Sequence, residues 1–123
     1  MILDLSTRHI EPDITVFELR GRLTLGNRLT EIEHSIKTAI QSGCPKLVLD
    51  LGRLDFIDSA GVGMLVMCAG AMEHSGGRMC VAAANPRIVH LFEVTHLERV
   101  VALHGDAESA CRSLGASDTA AAG

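Results

Sequence analysis

The segment Phe56-Ile57-Asp58-Ser59-Ala60-Gly61 is the part of this sequence where residue types and spacing could support chemistry. It pairs a carboxylate with a hydroxyl, but a nucleophilic serine also needs a base within hydrogen-bond reach and an oxyanion hole. The segment does not have the Gly-x-Ser-x-Gly pattern of the hydrolase elbow. The six histidines, at positions 9, 34, 74, 90, 96 and 104, fall in no recognisable motif. We therefore expect no catalytic residues.

Metal and nucleotide sites also lack their usual patterns. His90 and His96 are six residues apart, a spacing that does not place two ligands on one helix face. Gly61-Val62-Gly63 alone is weak evidence for a phosphate cradle, and no Walker A loop is present. The cysteines are widely spaced, at positions 44, 68, 80 and 111, which is typical of reduced thiols rather than a disulfide framework or a zinc site. We expect neither metal nor cofactor.

Composition excludes several classes of function. A chain of 123 residues forms one domain with a real core, and 47% hydrophobic content without Trp or Tyr makes that core aliphatic. A net charge of −4 without a basic patch argues against direct nucleic-acid binding. The N-terminus has neither a basic region nor a long apolar stretch, so we expect no signal peptide, no membrane span and a cytoplasmic location.

A strand and a helix are predicted to position Asp58 and Ser59. Residues 47–51 are apolar and predict a buried strand, followed by a polar connection at 52–55. Asp58 and Ser59 both suit an N-cap, so a helix is predicted over 59–74. This arrangement places a hydroxyl at the carboxyl end of a strand, where open α/β sheets carry their sites. Spacing alone favours a purely structural helix cap for the pair.

The rest of the chain predicts alternating strands and helices. Strands are predicted at 2–8, 14–20, 79–83 and 99–103, with a turn at 11–13 and Gly21 ending the hairpin. Helices are predicted at 28–42 capped by Asn27, after Asn85-Pro86, and at 107–114 capped by Asp106. The predicted class is α/β: one domain, residues 1–115, whose mixed sheet has an N-terminal hairpin and about four covering helices. Residues 116–123 are predicted to form a disordered tail.

The predicted central helix carries no charge from Ala60 to Met72. Helical spacing predicts that one face points to the core, with Val62, Leu65, Val66, Ala69 and Met72. The opposite face then carries Gly63, Met64, Met67, Cys68 and Ala71. A helix that is apolar all round is either covered on both sides or presents an apolar surface to a partner. Methionine is common at adaptable contact surfaces. We expect Met64, Met67 and Cys68 near a partner interface, while burial by the chain's own domain explains the pattern equally well.

These motifs together resemble the STAS domain of bacterial anti-sigma factor antagonists. The resemblance is carried by the segments 47–51 and 56–63, then by Gly21-Arg22-Leu23, Gly76-Gly77, Asn85-Pro86, and Leu91-Phe92 before Leu97. It covers roughly residues 2–112, and the central motif is specific. It departs at Thr24, where many relatives carry an acidic residue.

The resemblance implies a non-enzymatic binding module whose partner is an anti-sigma factor with a serine-kinase fold. That partner would phosphorylate the motif serine, here Ser59, with its own ATP, and a serine phosphatase would reset the switch. The unphosphorylated form would hold the anti-sigma factor and free the sigma factor. Asp58 and Gly61 would order the motif loop. The partner contacts implied are Asp58, Ser59, Gly63, Met64, Met67, Cys68, Thr24 and Asn27.

Two other roles stay open, as does the oligomeric state. The first is another STAS role, a signalling scaffold or a lipid-transport accessory subunit in which Ser59 is only a helix cap. The second is a nucleotide-binding or hydrolytic protein. Incubation with ATP and candidate kinases separates the phospho-switch from the scaffold role, and turnover assays on the isolated chain test for an enzyme.

Overall fold

A computed structural model of the chain describes residues 3–83 and 85–115. One mixed sheet has the strand order β1-β2-β3-β4-β5, with β1 antiparallel to β2 and the other neighbours parallel. The strands are β1 (Asp4–Ile10), β2 (Ile14–Leu23), β3 (Lys46–Ile57), β4 (Arg78–Ala82) and β5 (Ala102–His104). The helices are α1 (Asn27–Gln41), α2 (Ser59–His74), α3 (Pro86–Thr95) and α4 (Ala107–Ser113), with a 3₁₀ turn at Leu97–Arg99. The predicted α/β class, hairpin and number of helices are confirmed, and the predicted tail at 116–123 lies outside the described residues.

The sheet is buried on both faces. Helices α1, α2 and α3 contribute to an aliphatic core on one face, and α4 packs on the other. Successive residues of a strand point to opposite faces, so Val16 enters the α4 core while Phe17 enters the larger one. On the α4 side, β2 and β3 are apolar only at Ile14, Val16 and Val48, where α4 packs, and Glu18 and Asp50 follow on that face. Across the described ranges, no helix has the length and hydropathy needed to cross a bilayer.

Strands β2 and β3 extend together beyond the rest of the sheet. β3 pairs with β4 only as far as Asp50, but it continues beside β2 until Ile57 lies opposite Leu23. The predicted polar connection at 52–55 is wrong, because these residues are polar where side chains are exposed while the backbone pairing continues. Gly21 does not end the strand either. It has φ +99° and lies beside a register shift, so glycine accommodates an irregularity within β2.

Other predicted boundaries also shift. β1 occupies residues 4–10 instead of 2–8. The predicted strand at 99–103 is wrong at its start, because the chain first forms the 3₁₀ turn and β5 begins only at Ala102. Asn27 is not the cap of α1: it is the first helical residue, and the cap position is Gly26, which has no side chain to offer.

Asn85 fastens the β3 extension to α3. Its Nδ2 donates to the carbonyl oxygen of Leu54 at 2.8 Å, while its Oδ1 accepts from the backbone N–H of Arg87 at 2.9 Å. The predicted helix start at Asn85-Pro86 is confirmed. One side chain therefore caps α3 and holds the extension beside it.

Helix α2 buries one face and exposes the other. The buried residues are Gly61, Met64, Leu65, Cys68, Ala69 and Met72. Met64 and Cys68, predicted at a partner surface, therefore lie in the core, while Val66, predicted in the core, is 40% exposed. The uncharged sequence carries no polar residue that marks the outer face, so helical spacing alone left the rotation of the helix open. Burial raises the pKa of the Cys68 thiol to about 11, so the thiol stays protonated at neutral pH.

Gly61 determines how closely α2 approaches the sheet. A Cβ at this position would lie 2.7 Å from Cγ1 of Ile57 and closer still to the carbonyl oxygen of Leu23. Gly63, on the outer side of the same helix, has no heavy atom within 4 Å of the equivalent point. The two glycines therefore have different structural roles.

We predict opposite effects on stability for alanine at these two glycines. Gly61→Ala forces the backbone of α2 away from β2, which costs about 1–3 kcal/mol as an overpacked core does. Gly63→Ala meets no neighbour and stabilises the helix by up to about 1 kcal/mol. Thermal unfolding followed by circular dichroism measures both. Equal changes in melting temperature for the two variants would contradict the close approach at Gly61.

Candidate functional site

The side chain of Asp58 joins two separate backbone segments. Its Oδ1 accepts from the backbone N–H of Gly61 at 2.9 Å, which is the predicted N-cap of α2. Its Oδ2 accepts from the backbone N–H of Leu25 at 3.0 Å, in the loop between β2 and α1. The backbone N–H of Asp58 donates to the carbonyl oxygen of Leu23 at 3.2 Å. We call these three contacts the Asp58 clamp.

The Asp58 clamp favours the ionised carboxylate. The N–H groups of Gly61 and then Leu25 lower the pKa of the Asp58 carboxyl below its ordinary value, because they stabilise the charged form. An ionised carboxylate only accepts hydrogen bonds, so it can satisfy both N–H groups at once. Asp58 therefore orders the loop around the start of α2.

Ser59 is the first residue of α2, and its side chain is exposed. Its hydroxyl makes no hydrogen bond with any residue of the ranges 3–83 and 85–115. A serine nucleophile needs a base that activates it, and the described residues supply none at this hydroxyl. The arrangement leaves an accessible hydroxyl at the start of a helix.

An uncharged strip runs from Ser59 along the outer face of α2. We call it the α2 stripe, and its exposed residues are Ser59, Gly63, Val66, Met67 and Gly70. Val66 is 40% and Met67 is 50% exposed. The glycines leave the helix backbone accessible between these side chains, so a partner can approach closely. Of the predicted contact residues on this helix, Ser59, Gly63 and Met67 lie on the stripe, and Met64 and Cys68 do not.

The loop between β2 and α1 adds a residue that sequence reasoning missed. Leu25 is 81% exposed, and the Asp58 clamp holds its backbone beside the start of α2. Thr24 is half-buried and Asn27 is exposed, and neither forms a hydrogen bond with Ser59. The local sequence contains one signal for Leu25, an isolated leucine between Thr24 and Gly26 in a turn. The clamp that positions it involves a residue 33 positions away.

No metal centre is assembled in the part of the chain that the structure describes. There, no three His, Cys, Asp or Glu side chains converge as ligands. His90 lies 4.0 Å from Glu93, and His96 lies 3.8 Å from Glu98, each in an exposed pair on the surface. The two histidines belong to separate pairs.

Comparison with known proteins gives a family and several relatives. The sequence model of the STAS domain matches residues 6–110. The chain is 29% identical over 65 residues to BtrV of Bordetella bronchiseptica, provisionally named an anti-sigma factor antagonist, covering 53% of this chain and 56% of BtrV. It is 28% identical over 71 residues to the anti-sigma F factor antagonist of Paenibacillus polymyxa, covering 58% of this chain and 61% of that protein. Both alignments thus span less than two thirds of the relative.

Solved structures share the fold. An anti-sigma factor antagonist from Mycobacterium paratuberculosis has a TM-score of 0.80 at 18% identity, covering 92% of this chain and 94% of that one. Unphosphorylated SpoIIAA, an anti-sigma factor antagonist, has a TM-score of 0.74 at 24% identity, covering 91% and 97%. The STAS domain of a SulP transporter from Vibrio cholerae has a TM-score of 0.66 at 14% identity, covering 85% and 83%. At these identities the likeness establishes the fold alone.

We predict that the Asp58 clamp stabilises the fold in a pH-dependent way. Because the folded pKa of Asp58 lies below the unfolded value of about 3.9, the contribution is present above that value. It is lost as the pH falls through the folded pKa. Asp58→Asn keeps an acceptor for Gly61 but cannot accept from Leu25 as well, so it should melt below wild type at pH 7.

Thermal melts of both proteins between about pH 7 and pH 2 test this prediction. The other lowered carboxyl pKa values, those of Asp4 and Asp106, are common to both proteins and cancel in the difference. The gap in melting temperature should narrow as the solution is acidified. A gap that stays constant across this range would show that ionisation of Asp58 contributes nothing.

Proposed function

The chain belongs to the STAS domain family, and from that premise we propose that it is an anti-sigma factor antagonist, a binding module controlled by phosphorylation of Ser59. In its unphosphorylated form it binds an anti-sigma factor that has a serine-kinase fold, which we call the anti-sigma kinase. The sigma factor is then released. The observation that carries this proposal is the exposed hydroxyl of Ser59 at the start of the uncharged α2 stripe.

The position of Ser59 suits a phosphate. Phosphorylation adds about −1.5 to −2 charges at neutral pH. At a helix N-terminus, the helix dipole and the N–H groups of the first turn favour an anion. The neighbouring Asp58 carboxylate opposes it by like-charge repulsion, although backbone N–H groups already engage both of its oxygens. We expect the fold to tolerate the phosphate, so that phosphorylation changes the surface and not the architecture.

The same phosphate would disrupt binding at the α2 stripe. A partner surface that fits a neutral hydroxyl, Val66 and Met67 has to desolvate the new charge on contact. Burying a charge without a counter-ion costs several kcal/mol. Since about 1.4 kcal/mol corresponds to tenfold in affinity, a loss of about a hundredfold or more is expected. A change confined to one side chain is therefore sufficient for a switch.

The names of the relatives support the same role. Two curated relatives are named as antagonists of anti-sigma factors, and SpoIIAA has been solved in both an unphosphorylated and a phosphorylated form. The likeness to the SulP transporter domain favours a second candidate, a STAS module that serves as a scaffold or transport accessory without a phospho-switch. Exposure of the Ser59 hydroxyl favours the switch, because a structural cap has no need of an accessible oxygen.

Ser59 variants test the switch. We predict that Ser59→Ala binds the anti-sigma kinase but is not phosphorylated by it, whereas Ser59→Asp binds at least about a hundredfold more weakly. Both should melt close to wild type, because the cap oxygen belongs to Asp58. Calorimetric titration against each anti-sigma kinase of the same genome gives the affinities, and mass spectrometry after incubation with ATP maps the phosphate.

Ser35→Asp is the matched control, since Ser35 is exposed on α1 and its substitution adds the same charge away from the α2 stripe. It should bind like wild type. Equal affinities for Ser59→Ala and Ser59→Asp, or a phosphate mapped to Ser35, Ser75 or Thr95, would contradict the switch. If the anti-sigma kinase binds the wild-type chain but never phosphorylates Ser59, the scaffold role is favoured.

A lysine on the α2 stripe tests the docking face separately from the phosphate. We predict that Met67→Lys weakens binding of the anti-sigma kinase by about tenfold or more, because the contact must desolvate the new ammonium group. The fold should be unaffected, since Met67 is half exposed. Thr7→Lys, on the exposed edge strand β1, is the control and should bind normally. Wild-type affinity of Met67→Lys would remove the stripe from the interface.

A further inference from the structure

We propose that the groove between the end of β3 and α3 is a second docking site for the same partner, and that it takes an apolar side chain flanked by carboxylates. The inference rests on the proposed function for the identity of the partner. The groove has a volume of about 200 Å³, below the roughly 300–1,000 Å³ of small-molecule and cofactor pockets. It is therefore suited to a side-chain anchor and not to a cofactor.

The lining of the groove is largely apolar and open to solvent. Phe56 of the β3 extension forms one side, and Ile88, Leu91 and Val94 of α3 form the other. Phe56 is 40% and Val94 is 58% exposed. Aromatic residues, including Phe, are enriched in the buried cores of protein interfaces. This apolar surface remains without a partner in the part of the chain that the structure describes.

Two arginines flank this apolar surface. The guanidinium of Arg22 lies 4.5 Å from the ring centroid of Phe56, a cation–π contact. Arg87 and His90 line the groove on the α3 side. Neither Arg22 nor Arg87 forms an ion pair with any carboxylate of the described residues, whereas Arg20, Arg28, Arg53 and Arg112 each do.

One carboxylate, Asp55, also lines the groove and opposes an acidic occupant. Glu93 lies beside the groove as well, but 4.0 Å from His90, so Arg22 and Arg87 outnumber Asp55 among the charges that have no ion-pair partner in the described residues. Complementary charge favours encounter and specificity at interfaces. An apolar side chain with acidic neighbours therefore matches the groove better than a neutral or a basic segment does.

The groove is continuous with the site around Ser59. Phe56 and Ile57 directly precede Asp58, and Arg22 directly precedes Leu23, whose carbonyl oxygen accepts from Asp58. A stable interface covers about 800 Å² and 20–30 residues on each partner. The five residues of the α2 stripe and Leu25 are too few for that, so a partner seated over Ser59 must extend onto neighbouring surface.

Short peptides test the chemistry of the groove alone. The probes are a synthetic peptide with central Leu-Phe flanked by glutamates and its counterpart flanked by lysines, each titrated into ¹⁵N-labelled protein. We expect the acidic peptide to shift the amide signals of Phe56, Arg87 and Val94, and the basic peptide to leave them in place. Arg87→Glu should abolish the shifts, and Asp55→Asn should strengthen binding by about two- to fivefold.

Arg8→Glu is the matched control, because Arg8 is exposed and without an ion pair but lies opposite Val16. That position is six residues from Arg22 along β2, or about 20 Å. Arg8→Glu should bind the acidic peptide like wild type. Shifts that map elsewhere, equal shifts with both peptides, or an equal loss in Arg8→Glu and Arg87→Glu would overturn the inference.

Calorimetry then uses the anti-sigma kinase whose binding depends on Ser59. Arg22→Glu and Arg87→Glu should each weaken it by about tenfold at low salt, and less at high salt where exposed charges are screened. If that kinase binds Arg22→Glu and Arg87→Glu with the same affinity as Arg8→Glu, the groove is not a docking site. The proposed function would still stand. If no kinase shows Ser59-dependent binding, the proposed function fails, and the peptide titration alone decides whether the groove is an acidic-segment site.

Discussion

The arrangement of the candidate site depends on the Asp58 carboxylate and its two backbone hydrogen bonds. One bond caps α2, and the other fixes the loop that carries Leu25. Gly61 makes this possible, since any side chain there would collide with Leu23 and Ile57 at the ends of the two long strands. The motif therefore needs an acid, a small hydroxyl residue and a glycine at fixed spacing. Of these three residues Ser59 is the most exposed, so the motif presents a modifiable hydroxyl on a hydrogen-bonded support.

The extension of β2 and β3 beyond the other strands determines where the candidate site lies. Because β3 continues for seven residues after its pairing with β4 ends, the start of α2 lies at the far end of the molecule. Asn85 holds the other flank of the extension through Leu54. The start of the α2 stripe, Leu25 and the groove at Phe56 thus lie around one end of the fold. A single partner bound at that end would contact both Ser59, phosphorylated or not, and the charged residues of the groove.

The parts of this site that could be predicted from the sequence depend on local chemistry. The cap at Asp58 and the helix start at Asn85 follow from side-chain oxygens next to a helix, whatever the rest of the fold does. The rotation of α2 could not be predicted in the same way, because thirteen uncharged residues leave several faces equally apolar. Helical spacing therefore predicts Met64 and Cys68 at a partner surface, whereas both lie on the buried face together with Gly61. The groove at Phe56 was missed because residues 52–55 look like a loop until the pairing of β2 and β3 is known.

The central claim is that phosphate on Ser59 changes the binding surface and leaves the fold intact. The most direct measurement uses the wild-type chain, phosphorylated at Ser59 by the anti-sigma kinase and then purified. Its amide hydrogen exchange and its affinity for the kinase are compared with those of the unmodified chain. The account predicts unchanged protection in the sheet and in the body of α2, together with a loss of affinity of about a hundredfold or more. Unfolding of the first turns of α2 on phosphorylation, or an undiminished affinity, would contradict it.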